Sequence, residues 1–188
     1  MSLKNTQTEE NLRKALAGES IARNKYTYFA QAARKNGDTE IADAFEEMAK
    51  NEMMHAKFWF EQLFGKPEKT KACLMTAAQG EYAEWHNMYP SFAQTAREEG
   101  LEELAVMFEH VAAIEKNHEN RFMTLMAKMN KTDPTAVPAD DSASSAAVKR
   151  QKKSGFRCQF CGAVYDHRPD ACNVCGAIGS FDAVEYYE

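Results

Sequence analysis

The sequence predicts an all-α four-helix bundle, followed by a small domain that a bound metal holds together. Three observations lead to this fold class. Residues 1–130 are rich in Ala, Glu, Lys, Met and Leu, which favour helices, and they contain almost no proline. A long stretch of this region occurs twice, at residues 29–55 and 92–118. The end of the chain carries two C-x-x-C pairs of cysteines.

Glycine and proline divide residues 1–130 into four helices. The breaks fall at Gly37, where Asp38 can cap the next helix, at residues 65–67, and at Gly100. The helices are expected at about residues 8–36, 38–64, 70–99 and 101–130.

The remaining residues predict a linker and a second domain. Residues 131–153 mix Pro, Asp, Ser and Ala without apolar periodicity, which is typical of a linker. Residues 154–188 are too few to hold a hydrophobic core unaided, so they need a stabilising metal. The predicted domains are therefore 1–130 and 154–188.

Composition excludes some classes of partner. The net charge is -5 and 44% of the residues are hydrophobic, as in a soluble globular protein without a basic face for nucleic acid or an anionic membrane. The first twenty residues have no apolar targeting segment, and no later run of apolar residues is long enough to span a bilayer. We expect a cytoplasmic protein with no nucleic-acid or membrane partner, in a reducing compartment that suits metal-binding cysteines.

Each predicted helix carries acid on its apolar face. In the second helix, the face formed by Ile41, Phe45, Met48 and Trp59 also contains an E-x-x-H pair, and the fourth helix repeats this pair. An unpaired buried carboxylate normally protonates or finds a cation, and no Lys or Arg lies on these faces. The polar residues on the four faces are Glu19, Glu52, His55, Glu81, Glu84, Glu115 and His118.

These residues predict a site for two metal ions. A single buried Glu–His pair is more often a hydrogen-bonded structural pair than a metal site. Here one glutamate from each of two helices joins E-x-x-H from each of the other two, which is the ligand pattern of dinuclear carboxylate sites in helical bundles. Carboxylates and imidazoles without thiolate favour iron or manganese over structural zinc, and five glutamates nearly balance two divalent ions.

The third helix contains one extra residue relative to the first. Glu19 lies ten residues before Phe29, whereas Glu81 lies eleven residues before Phe92. Pro90 falls in the same interval, and proline removes a backbone donor. We therefore predict a kink or a π-type bulge, which could aim Glu84 inward beside Glu81.

The sequence C-x-x-C-G occurs twice near the end of the chain. Gly162 and Gly176 free the two turns, so that backbone N–H groups can point at the sulfurs. Four thiolates predict tetrahedral coordination, and their spacing alone does not separate iron from zinc. The predicted ligands are Cys158, Cys161, Cys172 and Cys175. Cys73 belongs to neither site and is expected to be a buried helix residue.

The sequence resembles rubrerythrin over nearly its whole length. The resemblance rests on "AGESIARNKYTYFA" in the first helix, the two E-x-x-H pairs, "GEYAEWHNMYPSFAQTAREEG" in the third helix, and the cysteine module. It implies a ferritin-like bundle with two irons and a rubredoxin-like module with one iron, zinc remaining possible there. Two positions depart from the family pattern, since Ala163 and Asn173 stand where many such modules have Tyr and Pro.

The resemblance also implies roles for the predicted residues. Glu84 would hold one iron in the diferric state, and His55 would replace it on reduction, since imidazole suits ferrous and carboxylate suits ferric iron. Tyr26 and Tyr89 would hydrogen-bond ligand carboxylates or bound oxygen species, the alternative being ordinary core packing. Glu52 and Glu115 would bridge the irons, and Glu19, Glu81 and His118 would be terminal ligands.

By this resemblance we expect a peroxidase that reduces hydrogen peroxide to water. An external reductase would feed electrons through the cysteine-bound iron. One alternative is a ferritin-like ferroxidase or iron-storage protein, which leaves the cysteine module without a task. Another is a zinc interaction module on a structural bundle, against which the inward glutamates argue. The short reach of a flexible linker favours a head-to-tail homodimer in which electrons cross between subunits, although an extended linker could bring the module to its own bundle.

Overall fold

The computed structural model describes residues 3–132 and 152–187. They belong to two compact units, Met1–Glu68 and Lys69–Glu188. Most of the predicted linker, residues 131–153, lies outside the described residues. Among the described helices, none combines the length and the apolar character that a membrane span requires. The predicted order of helices followed by a small cysteine-rich domain is confirmed.

The first unit is a hairpin of two long helices, α1 (Gln7–Asn36) and α2 (Thr39–Phe64). Thr6 caps α1 by accepting a hydrogen bond from the backbone N–H of Glu9 at 3.1 Å. Gly37 ends the helix in the left-handed conformation, with a φ of 89°. Asp38 precedes α2, but its side chain makes no capping hydrogen bond, contrary to the sequence prediction.

Alanines set the distance between α1 and α2. Ala30 and Ala42 are 2% and 0% exposed, so small side chains let the two helices approach closely. The apolar stripe predicted for α2 is not the buried seam of this hairpin, since Ile41 is 54% exposed. The physical reason is size, because small side chains such as alanine allow two helix backbones to come close. The stripe lies beside the seam and carries the E-x-x-H pair.

The second unit contains the predicted third and fourth helices. The third is divided into α3 (Thr70–Ala83), a π-helical segment (Glu84–Met88) and α4 (Tyr89–Glu98), and α5 (Glu102–Thr132) follows. The predicted bulge is thereby confirmed, because a π segment absorbs the extra residue before Pro90. Arg97 binds both carboxylate oxygens of Glu109, at 2.7 and 2.9 Å, and so joins α4 to α5.

The cysteine-rich part of the second unit, which we call the cysteine module, is a three-stranded antiparallel sheet with two turns. Strands β1 (Lys152–Cys158), β2 (Val164–Tyr165) and β3 (Phe181–Tyr187) lie in the order β2-β1-β3. Gly162 and Gly176 have φ values of 81° and 74°, which explains why glycine ends each Cys-x-x-Cys turn. A small core includes Phe181 and two of the cysteines.

Candidate metal centres

The first hairpin brings together one predicted set of three ligands. One potential ligand atom from each of Glu19, Glu52 and His55 lies within 4.8 Å of the others. His55 Nδ1 is 2.8 Å from Glu52 Oε2, because residues three apart on a helix share a face. Glu19 approaches from α1, with its Oε1 3.9 Å from the same nitrogen. We call these three residues the first half-site.

The second unit contains an equivalent set, Glu81, Glu115 and His118, called here the second half-site. His118 Nδ1 lies 2.6 Å from Glu115 Oε2 and 3.6 Å from Glu81 Oε2. Burial, and next the neighbouring carboxyl of Glu115, raise the pKa of Glu81, although His118 acts in the opposite direction. Two carboxyl groups that face each other in this way form a favourable place for a cation.

The donor sets of both half-sites fit a hard divalent metal. Each offers two carboxylates and one imidazole, which suit iron or manganese, and contains no thiolate. The Glu19 and Glu81 side chains are 30% and 22% exposed, so both are shielded from water without being sealed from it. The His55 side chain is 50% exposed, and its predicted place on a buried face stays a prediction.

Glu84 is the first residue of the π segment and is half-buried. It belongs to neither half-site among the described residues. Its charge is close enough to act on Tyr89, whose phenol pKa is raised by burial and then by Glu115, Glu84 and Glu81. The predicted exchange between Glu84 and His55 therefore stays a prediction.

Tyr26 and Tyr89 occupy equivalent places in the two repeats. The Tyr89 ring packs against Phe92 and Phe108, with ring centroids 6.3 and 6.2 Å away. The Tyr26 ring lies 6.5 and 6.1 Å from the corresponding rings, Phe29 and Phe45. Core packing thus accounts for both rings, and a catalytic role for their hydroxyl groups stays a prediction.

The four cysteines of the module form one cluster, as predicted. The Sγ atoms of Cys158 and Cys175 are 3.7 Å apart, and those of Cys161 and Cys172 are 3.5 Å apart. Disulfide bonds are far shorter, at about 2.05 Å. Metal–sulfur bonds of about 2.3 Å in a tetrahedron place sulfurs about 3.8 Å apart. The cysteines therefore fit a tetrahedral metal ion. Cys73 is exposed on α3, so its predicted burial is wrong.

The sulfurs differ in their surroundings. Burial raises the pKa of Cys161 to about 12, and the neighbouring sulfurs act in the same direction. Burial also acts to raise the pKa of Cys172, but the Tyr165 hydroxyl beside it and the backbone N–H groups lower it to about 6. The predicted backbone donors are present, since Cys175 and Val174 both supply N–H groups to Cys172. The module thus holds at least one sulfur ready as a thiolate.

Sequence reasoning missed Tyr165. Its hydroxyl oxygen lies 3.1 Å from Cys172 Sγ and 2.5 Å from Asn173 Oδ1. No periodic pattern could have indicated this contact, because it joins a strand to an irregular turn. The one signal was Asn173, which departs from the proline common at that position.

The cysteine module rests on α5 beside the second half-site. A Cβ atom added to Gly162 would lie 2.7 Å from His118 Nε2 and 3.2 Å from Ile114 Cγ2. Ile114 is 5% exposed and shares a core with Cys158 and Phe181. The sequence predicted that the linker would not readily bring the module to its own bundle, although an extended linker could; this contact with α5 lies within one chain. His118 also lines a cavity of about 410 Å³ between α5 and the module.

Comparison with known proteins gives a consistent result. A family model described as Rubrerythrin matches residues 10–126 and 72–152. "Rubrerythrin-1" of Clostridium acetobutylicum is 36% identical over 93% of this chain and 92% of its own length. "Rubrerythrin" of Nitratidesulfovibrio vulgaris is 37% identical with the same two shares, 93% and 92%. "Rubrerythrin" of Porphyromonas gingivalis is 35% identical over 93% of this chain and 88% of its own length.

Proposed function

Because this chain belongs to the rubrerythrin family, we propose that it is a peroxidase that reduces hydrogen peroxide to water. Membership makes the chain an iron-binding oxidoreductase of ferritin-like fold, from a family of di-iron proteins in oxidative stress defence. The peroxidase activity goes further. One observation carries it: the cysteine module lies directly against a ligand of the second half-site, at Gly162 and His118.

The half-sites would together hold two irons. When bound, the iron pair supplies the two electrons that, with two protons, convert one molecule of hydrogen peroxide into two molecules of water. We propose that Glu52 and Glu115, one from each half-site, would be ligands common to both irons. Glu19, Glu81 and His118 would be terminal ligands, and Glu84 and His55 would alternate on one iron.

The chain's own residues would admit peroxide and donate hydrogen bonds near the irons, while the two protons come from solvent. The cavity of about 410 Å³ beside His118 has ample room for a molecule as small as hydrogen peroxide. The Tyr89 phenol keeps its proton at neutral pH, because burial and then the glutamates around it raise its pKa. We propose that Tyr89, and Tyr26 in the other repeat, donate hydrogen bonds to ligand carboxylates or to bound peroxide.

The cysteine module would return electrons one at a time. A ferroxidase or storage protein has no use for a one-electron centre beside its iron ligands, so the contact at Gly162 favours the peroxidase. An external reductase would deliver electrons at Cys175, the exposed cysteine of the four. The head-to-tail homodimer stays a prediction.

Rapid mixing tests this function. The whole protein, reduced anaerobically and loaded with iron, is mixed in separate runs with hydrogen peroxide and with dioxygen, and the return of ferric absorption is followed. We expect peroxide to react much faster than dioxygen. Glu115→Ala protein is the control, because it should lose iron from the bundle and show only the slow background of the cysteine-bound iron. Equal rates for the two oxidants in the unaltered protein would favour the ferroxidase instead.

A further inference from the structure

Tyr165 is placed to act on a metal ligand through its hydroxyl group. The residue lies on β2, opposite Phe156 of β1, and its ring packs edge-on against Phe181 with centroids 5.9 Å apart. This packing fixes the ring, and its hydroxyl oxygen lies 3.1 Å from Cys172 Sγ. The same oxygen lies 2.5 Å from the side-chain oxygen of Asn173.

The phenol has one proton and two neighbouring acceptors, so only one of them can receive it. A metal-bound thiolate carries charge and is the stronger acceptor. If the Asn173 amide turns over, its NH₂ group donates to the phenol oxygen, and the phenol O–H is free to donate to sulfur. Such a turn exchanges atoms that differ little in size, and it gives the phenol oxygen a donor and the Cys172 sulfur a proton to accept.

We propose that Tyr165 donates a hydrogen bond to Cys172 Sγ, that Asn173 orients it, and that the pair raises the reduction potential of the cysteine-bound iron. Four thiolates with ferric iron carry a net charge of −1, and one added electron makes it −2. The sulfurs are more negative in the reduced state, so a hydrogen-bond donor stabilises that state more. Tyr165 is thus a positioning residue for electron transfer, and its role rests on the proposed iron in this site.

If Asn173 orients the phenol, its presence where many such modules have proline has a physical explanation. The side chain of a proline at this position could neither donate a hydrogen bond to the phenol nor accept one from it. Backbone N–H groups of Val174 and Cys175 already bond to Cys172, so the hydroxyl adds to an existing set of donors. We expect a measurable change in potential and no change in coordination when it is removed.

The decisive variant is Tyr165→Phe in the full-length protein, because phenylalanine keeps the ring and removes only the hydroxyl. Spectroelectrochemical titration of the thiolate-to-ferric band gives the reduction potential directly. We expect the equilibrium constant for reduction to fall about tenfold, a shift of about 59 mV for one electron. Asn173→Ala should shift it in the same direction by less, since the phenol remains but is no longer oriented.

Tyr186→Phe is the matched control. Its hydroxyl belongs to the same module but donates to the Asp166 carboxylate and not to sulfur. A potential that changes equally in Tyr165→Phe and Tyr186→Phe, or in neither, would overturn the proposal. A fall confined to Tyr165→Phe, with smaller movement in Asn173→Ala, supports it.

Cobalt(II) substitution keeps the test independent of the native metal. Loss of a hydrogen bond raises the energy of the sulfur electrons, so the thiolate-to-cobalt band of Tyr165→Phe should move to lower energy than that of Tyr186→Phe. Coincident bands would refute the hydrogen bond itself. A native module that contains zinc and shows no ferric band would instead overturn the electron-entry part of the proposed function, while the cobalt measurement still decides the role of Tyr165.

Discussion

Gly162→Ala should separate the cysteine module from the second half-site, and Gly176→Ala should not. Both glycines follow the second cysteine of a C-x-x-C pair and both have left-handed φ values, 81° and 74°. A Cβ on Gly162 would lie 2.7 Å from His118 Nε2, whereas a Cβ on Gly176 would have nothing within 4 Å. The two variants therefore share the backbone strain and differ only in the contact with α5.

The expected magnitudes follow from these distances. A non-glycine residue in the left-handed region costs about 1–2 kcal/mol, and both variants should lose that much stability in the module. The His118 ring is held against Glu115 at 2.6 Å, so we expect the module to shift in Gly162→Ala and to move away from Ile114, which is 5% exposed. Exposing an isoleucine side chain costs about 1.5–3 kcal/mol. The docked fraction should consequently fall by about ten- to a hundredfold in Gly162→Ala alone.

Two measurements check this. Reductase-driven peroxide turnover should fall with the docked fraction in Gly162→Ala and stay near the unaltered rate in Gly176→Ala. Chemically pre-reduced protein should oxidise at a similar rate in both variants, because that step does not need the module. Equal turnover in the two variants, with iron contents also equal, would show that the module does not work from its place on α5.

Three further predictions concern the half-sites and the repeat. Glu84→Ala should retain two irons but turn over peroxide about tenfold more slowly or worse, a loss of about 1.4 kcal/mol or more at the transition state. Glu52→Ala should instead lose iron. Metal analysis and steady-state kinetics test both expectations, and full activity of the Glu84 variant would refute the ligand exchange. Mixing Glu115→Ala protein with a chain truncated after α5 should give subunit-exchanged hybrids without reductase-driven activity, because the cysteine module lies against α5 of its own chain. Recovered activity would show that electrons pass to a partner subunit. The Arg97 guanidinium lowers the pKa of Glu109 in the folded protein. The ion pair therefore contributes fully to folding stability above the ordinary carboxyl pKa, and this contribution is lost as the pH falls through the lowered pKa of Glu109. Acid unfolding of Glu109→Gln should lack this part of the pH dependence.

The helical part was predictable because it depends on the spacing between residues along the chain. The one-residue difference between the two repeats predicted an irregularity before Pro90, and a π segment begins at Glu84. Ligand spacing is equally local, since E-x-x-H fixes two side chains on one helical face. For this reason the members of both half-sites were identified, while Glu84, whose direction depends on the bulge, joins neither.

The remaining features arise from packing between helices, strands and turns, and no regular spacing in the sequence indicates such contacts. The alanine seam between α1 and α2 replaced the expected stripe because backbone distance, and not hydrophobicity, decided which residues became buried. The contact of Gly162 with His118 joins residues 44 positions apart, and no spacing along the chain indicates it. The Tyr165 hydrogen bond depends on the register of a two-residue strand.

The repeat supplies two equal ligand sets, so any asymmetry in the chemistry must come from what is added to one of them. Two additions are present, and both fall on the second unit: the extra residue that creates the π segment at Glu84, and the cysteine module that rests on His118. His55, the counterpart of His118 in the first half-site, is 50% exposed. Substitutions at the ligands of either half-site should therefore change the metal content. Substitutions at Glu84 or Gly162 should leave the metal in place and change how fast electrons and peroxide reach it.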